Sequence, residues 1–416
     1  MEQFDVIIIG GGPGGSKAAK MLSAGGKQVA LIEDRHLGGV CLNCGCIPTK
    51  LMLGAVAPRG LMHGLERQRV AKGSLEVDFA SLKKRVQRFT GASSQTLAKG
   101  LTAAGVRLYT GRAVCRDAHT VDVLDTDGQT ILSLAGQNII LAGGSRSAAF
   151  PGLEPDHNCV LDSTDLLNIP TVPESLLIVG AGAIGLEMAD FFNAMGSTVT
   201  VVEAAPQLAP TEDADIAQEM EKLLRKNGLT CLTAVKAVSL VSQDDQAVLT
   251  LEDGRTFTAS KALVAVGRKP NTDGLGAESA GCTLNRRGFV QTDDYLRAAP
   301  TVFAIGDING RTLLAHAAEH QAAYVARQIL GLESGVYESG PVPSCIYGSL
   351  EVMRVGLTVR DAQAKGGEVA VSRAPLIANP IAQAGGDPAG FVKVVWHEGR
   401  MVGIAALGHH VSHLVT

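Results

Sequence analysis

Two stretches of the chain share one pattern of apolar and glycine positions. Residues 6–9 form a continuous apolar run, typical of a buried parallel strand, and lead directly into Gly10-Gly11-Gly12-Pro13-Gly14-Gly15. Residues 18–22 carry apolar side chains at helical spacing, Gly25-Gly26 gives a stop signal, and a second apolar run ends at Glu33. The pattern predicts a strand, a glycine turn, a helix and a second strand that ends at an acid.

The same pattern returns 170 residues later. Residues 176–179 are apolar and lead into Gly180-Ala181-Gly182-Ala183-Ile184-Gly185, and a second run at residues 199–202 ends beside Glu203. Glu33 follows Gly10 by 23 residues (33 − 10), and Glu203 follows Gly180 by 23 (203 − 180). The chain therefore contains two copies of one strand–turn–helix–strand–acid module.

The residue types in these modules suit a dinucleotide. The first glycine allows a tight turn, the second lets the backbone approach a pyrophosphate, and the third lets the helix pack on the strand. The helix N-terminus presents free N–H groups to the phosphates, and the acid accepts hydrogen bonds from an adenosine ribose. One such glycine motif fits an ordinary tight turn equally well, but two copies with matched acids favour two dinucleotide sites in Rossmann-like α/β domains.

Composition narrows the class of protein. At 416 residues, with 46% hydrophobic and 19% charged positions, the chain is long enough for about three domains with a large core. A net charge of −4, few aromatic residues and the lack of a Lys/Arg run argue against nucleic acid and anionic membranes as partners. The longest apolar stretch, residues 175–195, contains Glu187 and Asp190, and the N-terminus lacks the basic start of a signal peptide.

These features predict a cytoplasmic protein without a membrane span. Eight cysteines in a chain of this kind are typical of the reduced cytoplasm. We expect the five scattered cysteines to be buried packing residues; they are Cys115, Cys159, Cys231, Cys282 and Cys345.

A cysteine-rich segment follows the first module. Residues 38–50 read Gly-Gly-Val-Cys-Leu-Asn-Cys-Gly-Cys-Ile-Pro-Thr-Lys. This closely resembles the redox signature of the pyridine nucleotide–disulfide oxidoreductase family, which includes dihydrolipoyl dehydrogenase, glutathione reductase and mercuric reductase. The resemblance implies FAD and NAD as cofactors and Cys41 and Cys46 as a redox-active disulfide.

Helix geometry adds an expectation for this pair. On an ideal helix, residues five apart have Cα atoms roughly 8–9 Å apart, and a disulfide requires less than about 7 Å. The first helical turn must therefore distort, which is typical of labile disulfides, and a helix start favours the thiolate. Cys44 is an additional thiol that could scramble the disulfide; a metal cluster is the alternative, but a matching ligand set is not nearby.

The resemblance continues along most of the chain. Residues 111–113 resemble the contact to the FAD adenine, residues 141–145 the crossover out of the flavin domain, and residues 267–272 the end of the nicotinamide domain. Residues 304–307 resemble the second FAD motif, whose Asp holds the ribityl chain, and residues 314–317 the stretch beneath the isoalloxazine. Gly143 departs from the family, which usually has Thr there.

The predicted fold is α/β, with two Rossmann-like dinucleotide-binding domains and a C-terminal α+β dimerisation domain. The predicted segments are 1–146 (FAD), 147–271 (NAD), 272–342 (second FAD segment) and 343–416 (dimer interface). Residues 343–347 resemble the start of the last segment. The predicted cofactor-binding residues are Gly10, Gly12, Pro13, Gly14, Gly15, Glu33, Asp34, Gly39, Val40, Cys41, Lys50, Ala113, Ala142, Gly143, Gly144, Ser145, Gly180, Gly182, Ala183, Ile184, Gly185, Glu203, Val235, Gly267, Arg268, Gly306, Asp307, Leu314, Ala315 and His316.

Cofactor choice distinguishes the family members. Glu203 suits a free 2′-hydroxyl and would repel a 2′-phosphate, and residues 204–206 lack the arginine that NADP-preferring relatives use, so NAD is predicted. This disfavours glutathione reductase, and a terminal cysteine pair typical of mercuric reductase is missing, so dihydrolipoyl dehydrogenase is the best match. The resemblance then implies that dihydrolipoamide, or another small dithiol or disulfide, reacts at Cys41 and that Cys46 lies nearer the flavin. It also implies that Lys50 lies near the flavin N5 and pairs with Glu187; two solvated helix charges are the alternative.

One feature departs from the family. Its base is a His in a C-terminal His-Pro-Thr segment that is supplied across a homodimer, and none of the ten histidines here precedes a proline. Either the sequence is shortened or this protein lacks that base. We expect His397-Glu398 to lie in a strand turn, and we expect His409, His410 and His413 to be solvated loop residues.

Three functions stay open from the sequence. The first is a lipoamide-type disulfide reductase, alone or in a 2-oxoacid dehydrogenase or glycine cleavage complex. The second is an NADH oxidase or diaphorase, or another disulfide reductase such as a mercuric reductase relative. The third is a non-catalytic subunit that keeps the fold. Titration with NADH separates the disulfide reductases from the rest. A long-wavelength thiolate–flavin band indicates a disulfide reductase, bleaching without that band indicates an NADH oxidase or diaphorase, and no reduction indicates a non-catalytic subunit.

Overall fold

The computed structural model describes residues 1–415, apart from the side chains at positions 63 and 67. Thr416, the last residue of the predicted dimer-interface segment, lies outside the described residues. The α-helices are α1 Pro13–Ala24, α2 Gly39–Cys44, α3 Cys46–Arg67, α4 Phe79–Ala103, α5 Ser163–Asn168, α6 Ala183–Ala194, α7 Ala214–Lys226, α8 Ala315–Ile329, α9 Val359–Ala364 and α10 Pro380–Ala384.

The strands are β1 Glu2–Ile9, β2 Val29–Glu33, β3 Arg107–Thr110, β4 Arg112–Cys115, β5 Thr120–Leu124, β6 Thr130–Leu141, β7 Ser145–Ser147, β8 Val160–Leu161, β9 Ser175–Val179, β10 Thr198–Val202, β11 Thr230–Leu232, β12 Ala237–Gln243, β13 Gln246–Leu251, β14 Thr256–Ala259, β15 Lys261–Val264, β16 Arg268–Pro270, β17 Arg297–Ala299, β18 Val302–Ala304, β19 Ser344–Ile346, β20 Glu351–Gly356, β21 Val369–Pro375, β22 Gly390–His397 and β23 Arg400–Gly408. Short 3-10 turns span Gly306–Asn309, Leu376–Ala378 and Val411–Val415.

The chain divides into two compact units. The first contains residues 1–48, 87–146 and 268–340, and the second contains residues 49–86, 147–267 and 341–416. Residues 49–86 belong to the predicted FAD segment but group with the second unit. The segment boundaries drawn from the sequence stay a prediction.

The first unit is built on an eight-stranded sheet. Its main path runs β17-β18-β6-β1-β2-β3, and β4 and β5 continue from β6 as antiparallel strands. Both faces of the parallel part are buried: Val6 and Ile8 pack with α1 and α8, whereas Ile7 and Ile9 pack on the opposite face. This explains why β1 is a continuous apolar run and not an alternating one.

The second unit contains three sheets. The parallel sheet β11-β10-β9-β15-β8 holds the second module, and β12, β13 and β14 form an antiparallel sheet. The C-terminal residues form an antiparallel sheet in the order β19-β20-β23-β22-β21. The largest core cluster of the second unit includes Met52 of α3, Phe191 of α6 and Phe391 of β22.

One apolar helical stretch, Gly39–Glu66, is long enough to cross a membrane by length and composition alone. A core helix gives the same signal, and Met52, Leu53 and Val56 of this stretch lie in the core of the second unit. The stretch is therefore weak evidence for a membrane span.

Candidate active site

The first glycine turn, between β1 and α1, requires its outer glycines. Gly10 has φ 103°, and a Cβ on it would lie 2.4 Å from the carbonyl oxygen of Ala142. A Cβ on Gly15 would lie 1.9 Å from the carbonyl oxygen of Gly10. Glu33 closes the turn, since its Oε2 accepts the N–H of Gly11 at 2.7 Å. Burial raises the pKa of Glu33, and this hydrogen bond opposes the shift.

The second glycine turn, between β9 and α6, repeats this geometry closely. Gly180 has φ 105°, and its Cβ would lie 2.4 Å from the carbonyl oxygen of Ala265. A Cβ on Gly185 would lie 2.0 Å from the carbonyl oxygen of Gly180. The Oε2 atom of Glu203 accepts the N–H of Ala181 at 2.7 Å. Each acid thus supports its own glycine turn. The sequence predicted only that each acid binds a ribose, so this structural role is additional.

The middle glycines leave room for a ligand at each helix start. Gly12 precedes α1 and Gly182 precedes α6. Among the described residues, a Cβ on Gly182 would meet nothing within 4 Å, and one on Gly12 would meet only Gly39 Cα, at 4.0 Å. Both turns therefore fit a pyrophosphate, as FAD and NAD require.

The cysteine segment is joined to the first glycine turn. The N–H of Gly38 donates to the carbonyl oxygen of Gly11 at 2.8 Å. Gly39 has φ 57°, and a Cβ on it would lie 2.9 Å from Gly12 Cα. The Asn43 amide donates to the Gly39 carbonyl oxygen at 2.9 Å and so holds the start of α2. The start of the redox segment therefore lies against the predicted FAD pyrophosphate site, within one compact unit.

A helix break separates the two cysteines of the predicted pair. Cys41 lies in α2, which ends at Cys44, and Cys46 begins α3. Between the helices, Gly45 has φ −148° and ψ −112°, outside the helical region. The backbone is therefore distorted where the disulfide geometry requires it. Cys41 is half-buried and Cys46 is exposed; their pairing stays a prediction.

A hydrogen-bond network fixes the predicted ribityl contact in the first unit. Arg268 donates from Nε to Ser145 Oγ at 2.6 Å and from Nη2 to the Ser145 carbonyl oxygen at 2.7 Å. The Ser145 hydroxyl in turn donates to the Asp307 carboxylate. The N–H of Gly306 donates to the amide oxygen of the buried Gln321 at 2.7 Å. The side chain and the backbone around Asp307 are therefore both held, as a positioned cofactor contact requires.

In the second unit, Lys50 and Glu187 form an ion pair. Lys50 Nζ lies 2.8 Å from each Glu187 carboxylate oxygen, and Glu187 is only 5% exposed. The N–H of Tyr347 donates to Glu187 Oε1 at 3.1 Å. Burial raises the pKa of Glu187, and the Lys50 ammonium opposes the shift. These two charges are partners rather than separate solvated helix charges.

Asp190 is a second buried carboxylate on α6. It accepts the N–H of Ser349 at 2.8 Å and also the Ser349 hydroxyl. Gly348 has φ 155°, and a Cβ on it would lie 2.9 Å from Asp190 Oδ2, so the loop can approach only with glycine there. Burial raises the pKa of Asp190. Its place three residues after Glu187 on an apolar helix was the only sequence signal for this contact.

A charge cluster around a buried lysine links the start of α7 to the C-terminal sheet of the same unit. Lys393, whose side chain is 1% exposed, lies 2.7 Å from Asp213 Oδ2 and 2.6 Å from Asp215 Oδ1. Arg354 Nε lies 2.9 Å from Glu212 Oε2. The partners are 142 to 180 residues apart in sequence, so sequence reasoning did not find them.

Other predicted cofactor residues lie on a strand, in loops beside strands and at the start of α8. Val235 donates its N–H to the carbonyl oxygen of Glu203 at 3.1 Å. Ala113 is buried on β4, and Gly267 adopts φ 133° just before β16. Leu314 precedes α8, and His316 is exposed in its first turn. These positions are compatible with cofactor contacts, which stay predictions.

Four of the five scattered cysteines, Cys115, Cys159, Cys231 and Cys282, are buried as predicted. Burial raises the pKa of Cys115 to about 12 and the pKa values of Cys231 and Cys282 to about 11. The prediction was wrong for Cys345, which is half-buried on β19, an edge strand of the C-terminal sheet.

The structure agrees in part with the expectation that the C-terminal histidines lie in turns and solvated loops. His397 ends β22, and its ring nitrogen lies 2.6 Å from the carbonyl oxygen of Gly366, beside a hairpin turn at Glu398. His410 and His413 are exposed, whereas His409 is half-buried. The rings of His409 and His410 lie 3.8 Å apart between centroids.

The chain is similar to known flavoproteins over nearly its whole length. The dihydrolipoyl dehydrogenase of Chlorobaculum tepidum is 38% identical, over 99% of this chain and 89% of its own length. That of Bacillus subtilis is 32% identical, over 100% of this chain and 90% of its own length. Among solved structures, LpdA of Mycobacterium tuberculosis matches with a TM-score of 0.91 and 26% identity, over 100% of this chain and 92% of its own. The flavoprotein disulfide reductase RclA of Escherichia coli, solved as a Cu(II) complex, matches with a TM-score of 0.89 and 28% identity, over 100% and 91%.

Two family models cover almost the whole chain. The model for pyridine nucleotide-disulphide oxidoreductases matches residues 4–322, and the model for the dimerisation domain of the same family matches residues 342–416. These matches confirm the predicted fold class, the FAD and NAD cofactors and the assignment as a flavin-dependent oxidoreductase. The chain belongs to the pyridine nucleotide-disulphide oxidoreductase family.

Proposed function

We propose that this chain is an NAD-preferring dihydrolipoyl dehydrogenase that works through Cys41 and Cys46. The observation that carries the proposal is the cysteine segment, which hydrogen-bonds to the first glycine turn through Gly38 and Gly11. The names of the most similar relatives in the comparisons support dihydrolipoamide as substrate, because they match over nearly the full chain.

The two cysteines would exchange one disulfide with the substrate. One substrate thiolate attacks the Cys41 sulfur, the Cys41–Cys46 bond breaks, and Cys46 leaves as a thiolate. The second substrate thiol then attacks the mixed disulfide, closes the oxidised lipoamide ring and releases Cys41, with two protons lost in all. FAD, when bound, would carry the two electrons from this dithiol to NAD. Cys41 is half-buried and Cys46 is exposed, so a small dithiol substrate could reach both residues near the start of α3.

The ion pair of Lys50 and Glu187 would supply fixed charge near the flavin. Lys50 follows Cys46 by one helical turn on α3, so the two side chains share a helix face. The buried Glu187 orients the Lys50 ammonium through both of its oxygens. Glu203 supports NAD over NADP, because a carboxylate at this place would repel a 2′-phosphate.

The assembly is also part of the proposal. The match of residues 342–416 to a dimerisation domain supports a homodimer. A 2-oxoacid dehydrogenase or glycine cleavage complex would supply the dihydrolipoyl group, and we place the protein in the cytoplasm with such complexes.

The test compares thiol-dependent and thiol-independent reactions of the holoenzyme. We expect Cys41→Ser and Cys46→Ser each to abolish lipoamide reduction by NADH but to keep NADH-dependent dye reduction, because only the first reaction needs both thiols. In the wild type, anaerobic titration with NADH should give a long-wavelength thiolate–flavin band that both variants lose.

Cys44→Ser is the matched control and should keep both reactions. Lipoamide turnover in Cys41→Ser or Cys46→Ser would show that Cys44 or another thiol replaces the predicted pair. Flavin bleaching without the long-wavelength band in the wild type would favour an NADH oxidase or diaphorase instead. Fast turnover of another disulfide with none of lipoamide would point to a different disulfide reductase.

A further inference from the structure

Tyr347 contacts both members of the Lys50–Glu187 pair. The Lys50 ammonium lies 4.6 Å from the centroid of the Tyr347 ring, and the backbone N–H of Tyr347 donates to Glu187 Oε1 at 3.1 Å. The carboxylate oxygens of Glu187 lie 2.8 Å from the same ammonium. Lys50 is thus held between a carboxylate and an aromatic face, and its side chain is 33% exposed.

The loop that carries Tyr347 is fixed on the same helix as Glu187. Ser349 donates its N–H and its hydroxyl to Asp190, one turn along α6 from Glu187. Gly348 permits this close approach because a side chain there would collide with the Asp190 carboxylate. Two backbone hydrogen bonds, at Tyr347 and Ser349, therefore anchor the loop that carries the Tyr347 ring to α6.

The ring is held as a neutral phenol. Burial raises the pKa of Tyr347 to about 12, and the adjacent Cys345 thiol adds to the shift. Its contribution to Lys50 is therefore the attraction of an uncharged aromatic face for a cation, which strengthens as water is excluded.

We infer that Tyr347 is a positioning residue that holds the Lys50 ammonium in its pair with Glu187 and thereby sets the rate at which the flavin is reduced. The inference rests on the proposed function, in which Lys50 lies near the flavin N5. Tyr347 acts through Lys50 and takes no proton or electron itself.

The experiment is a double-mutant cycle on the FAD-loaded enzyme. Tyr347→Leu removes the aromatic face but keeps the backbone N–H to Glu187, and Tyr347→Phe is the matched control that keeps the face. We expect Tyr347→Leu to slow flavin reduction by NADH about three- to thirtyfold, the range that a cation–π contact supports. Tyr347→Phe should stay within about twofold of the wild type, and the apparent NADH affinity should be the same in all three proteins.

The Lys50→Met background separates positioning from a structural role. There, Tyr347→Leu should have no further effect on the reduction rate, and the midpoint potential of the flavin should shift in Tyr347→Leu only when Lys50 is present. Equal slowing in both backgrounds, or a wild-type rate in Tyr347→Leu, would overturn the inference while the proposed function stands. A wild-type reduction rate in Lys50→Met itself would overturn both the placement of Lys50 and the inference. FAD content and circular dichroism check that each variant is folded.

Discussion

The two glycine modules have the same turn and different helices. Gly10 and Gly180, which are 170 residues apart, have φ 103° and 105°. Glu33 and Glu203, also 170 residues apart, each accept a turn N–H at 2.7 Å. On the helices, Lys17 and Lys20 of α1 are exposed, whereas the equivalent residues of α6 are the buried Glu187 and Asp190.

The environment of each helix explains the difference. In the first unit α1 packs its small residues against α8, and a Cβ on Gly14 would lie 3.3 Å from the Ala318 carbonyl oxygen. In the second unit α6 contacts the loop of residues 347–349 and Lys50 through its two carboxylates. The turn that is predicted to bind a dinucleotide is therefore constrained by backbone sterics, whereas the helix that follows it carries different side chains in the two units.

The largest expected effects come from the third glycine of each turn. Gly15→Ala and Gly185→Ala both place a methyl group within about 2 Å of a backbone oxygen. Gly15→Ala should yield protein without FAD, whereas Gly185→Ala should keep FAD but lose reduction by NADH. The measurements are flavin content after purification and anaerobic bleaching by NADH. Loss of FAD in Gly185→Ala would show that the two sites are not separable.

The next effect contrasts equivalent helix positions of opposite burial. Glu187→Gln should slow flavin reduction by NADH about 10- to 100-fold, because it removes hydrogen bonds between charged groups at Lys50. Lys17→Gln, the equivalent change on α1, should leave the rate unchanged. Stopped-flow reduction of the FAD-loaded variants measures both, and a slow Lys17→Gln variant would contradict the contrast.

The acids of the two modules should differ in the cofactor they affect. Glu203→Ala should reduce the preference for NADH over NADPH by about tenfold or more, because it removes the carboxylate that is predicted to bind the ribose and that accepts a turn N–H. Glu33→Ala should weaken FAD retention and leave that preference unchanged. Steady-state dye reduction with each nucleotide tests the prediction; equal rates with NADPH and NADH in the wild type would remove its premise.

The smallest expected effect is on how the free energy of unfolding depends on pH. Because burial raises the native pKa of Asp190 above its ordinary 3.8, the folded state holds this proton more tightly than the unfolded state does. The free energy of unfolding should therefore be greatest below pH 3.8 for this group and fall as pH rises through the raised pKa.

Asp190→Asn should flatten this dependence, because it removes the carboxyl group whose pKa is raised by burial. The exposed Lys20→Gln of α1 is the control and should keep the wild-type slope. Urea unfolding across acid to neutral pH gives both slopes, and identical slopes in Asp190→Asn and the wild type would refute the assignment.

Sequence reasoning located the modules because their constraints are local. Gly10 and Gly15 meet within six residues, and the Glu33 spacing follows from one helix and one strand. The pairing of Lys50 with Glu187, 137 residues apart, came only from family resemblance. Local patterns could not show that Tyr347 and Ser349 meet α6, because that contact depends on how distant strands are arranged.

The buried Lys393 bears on how this protein could be recombined with its relatives. Its ammonium is neutralised by Asp213 and Asp215, which lie at the start of α7, about 180 residues earlier in the chain. A chimera that imports only the C-terminal sheet would separate this lysine from its counter-charges and leave a charge stranded in the interior, which is strongly destabilising. A functional exchange would have to move residues 212–215 together with the sheet, so the smallest interchangeable block of this chain is discontinuous in sequence.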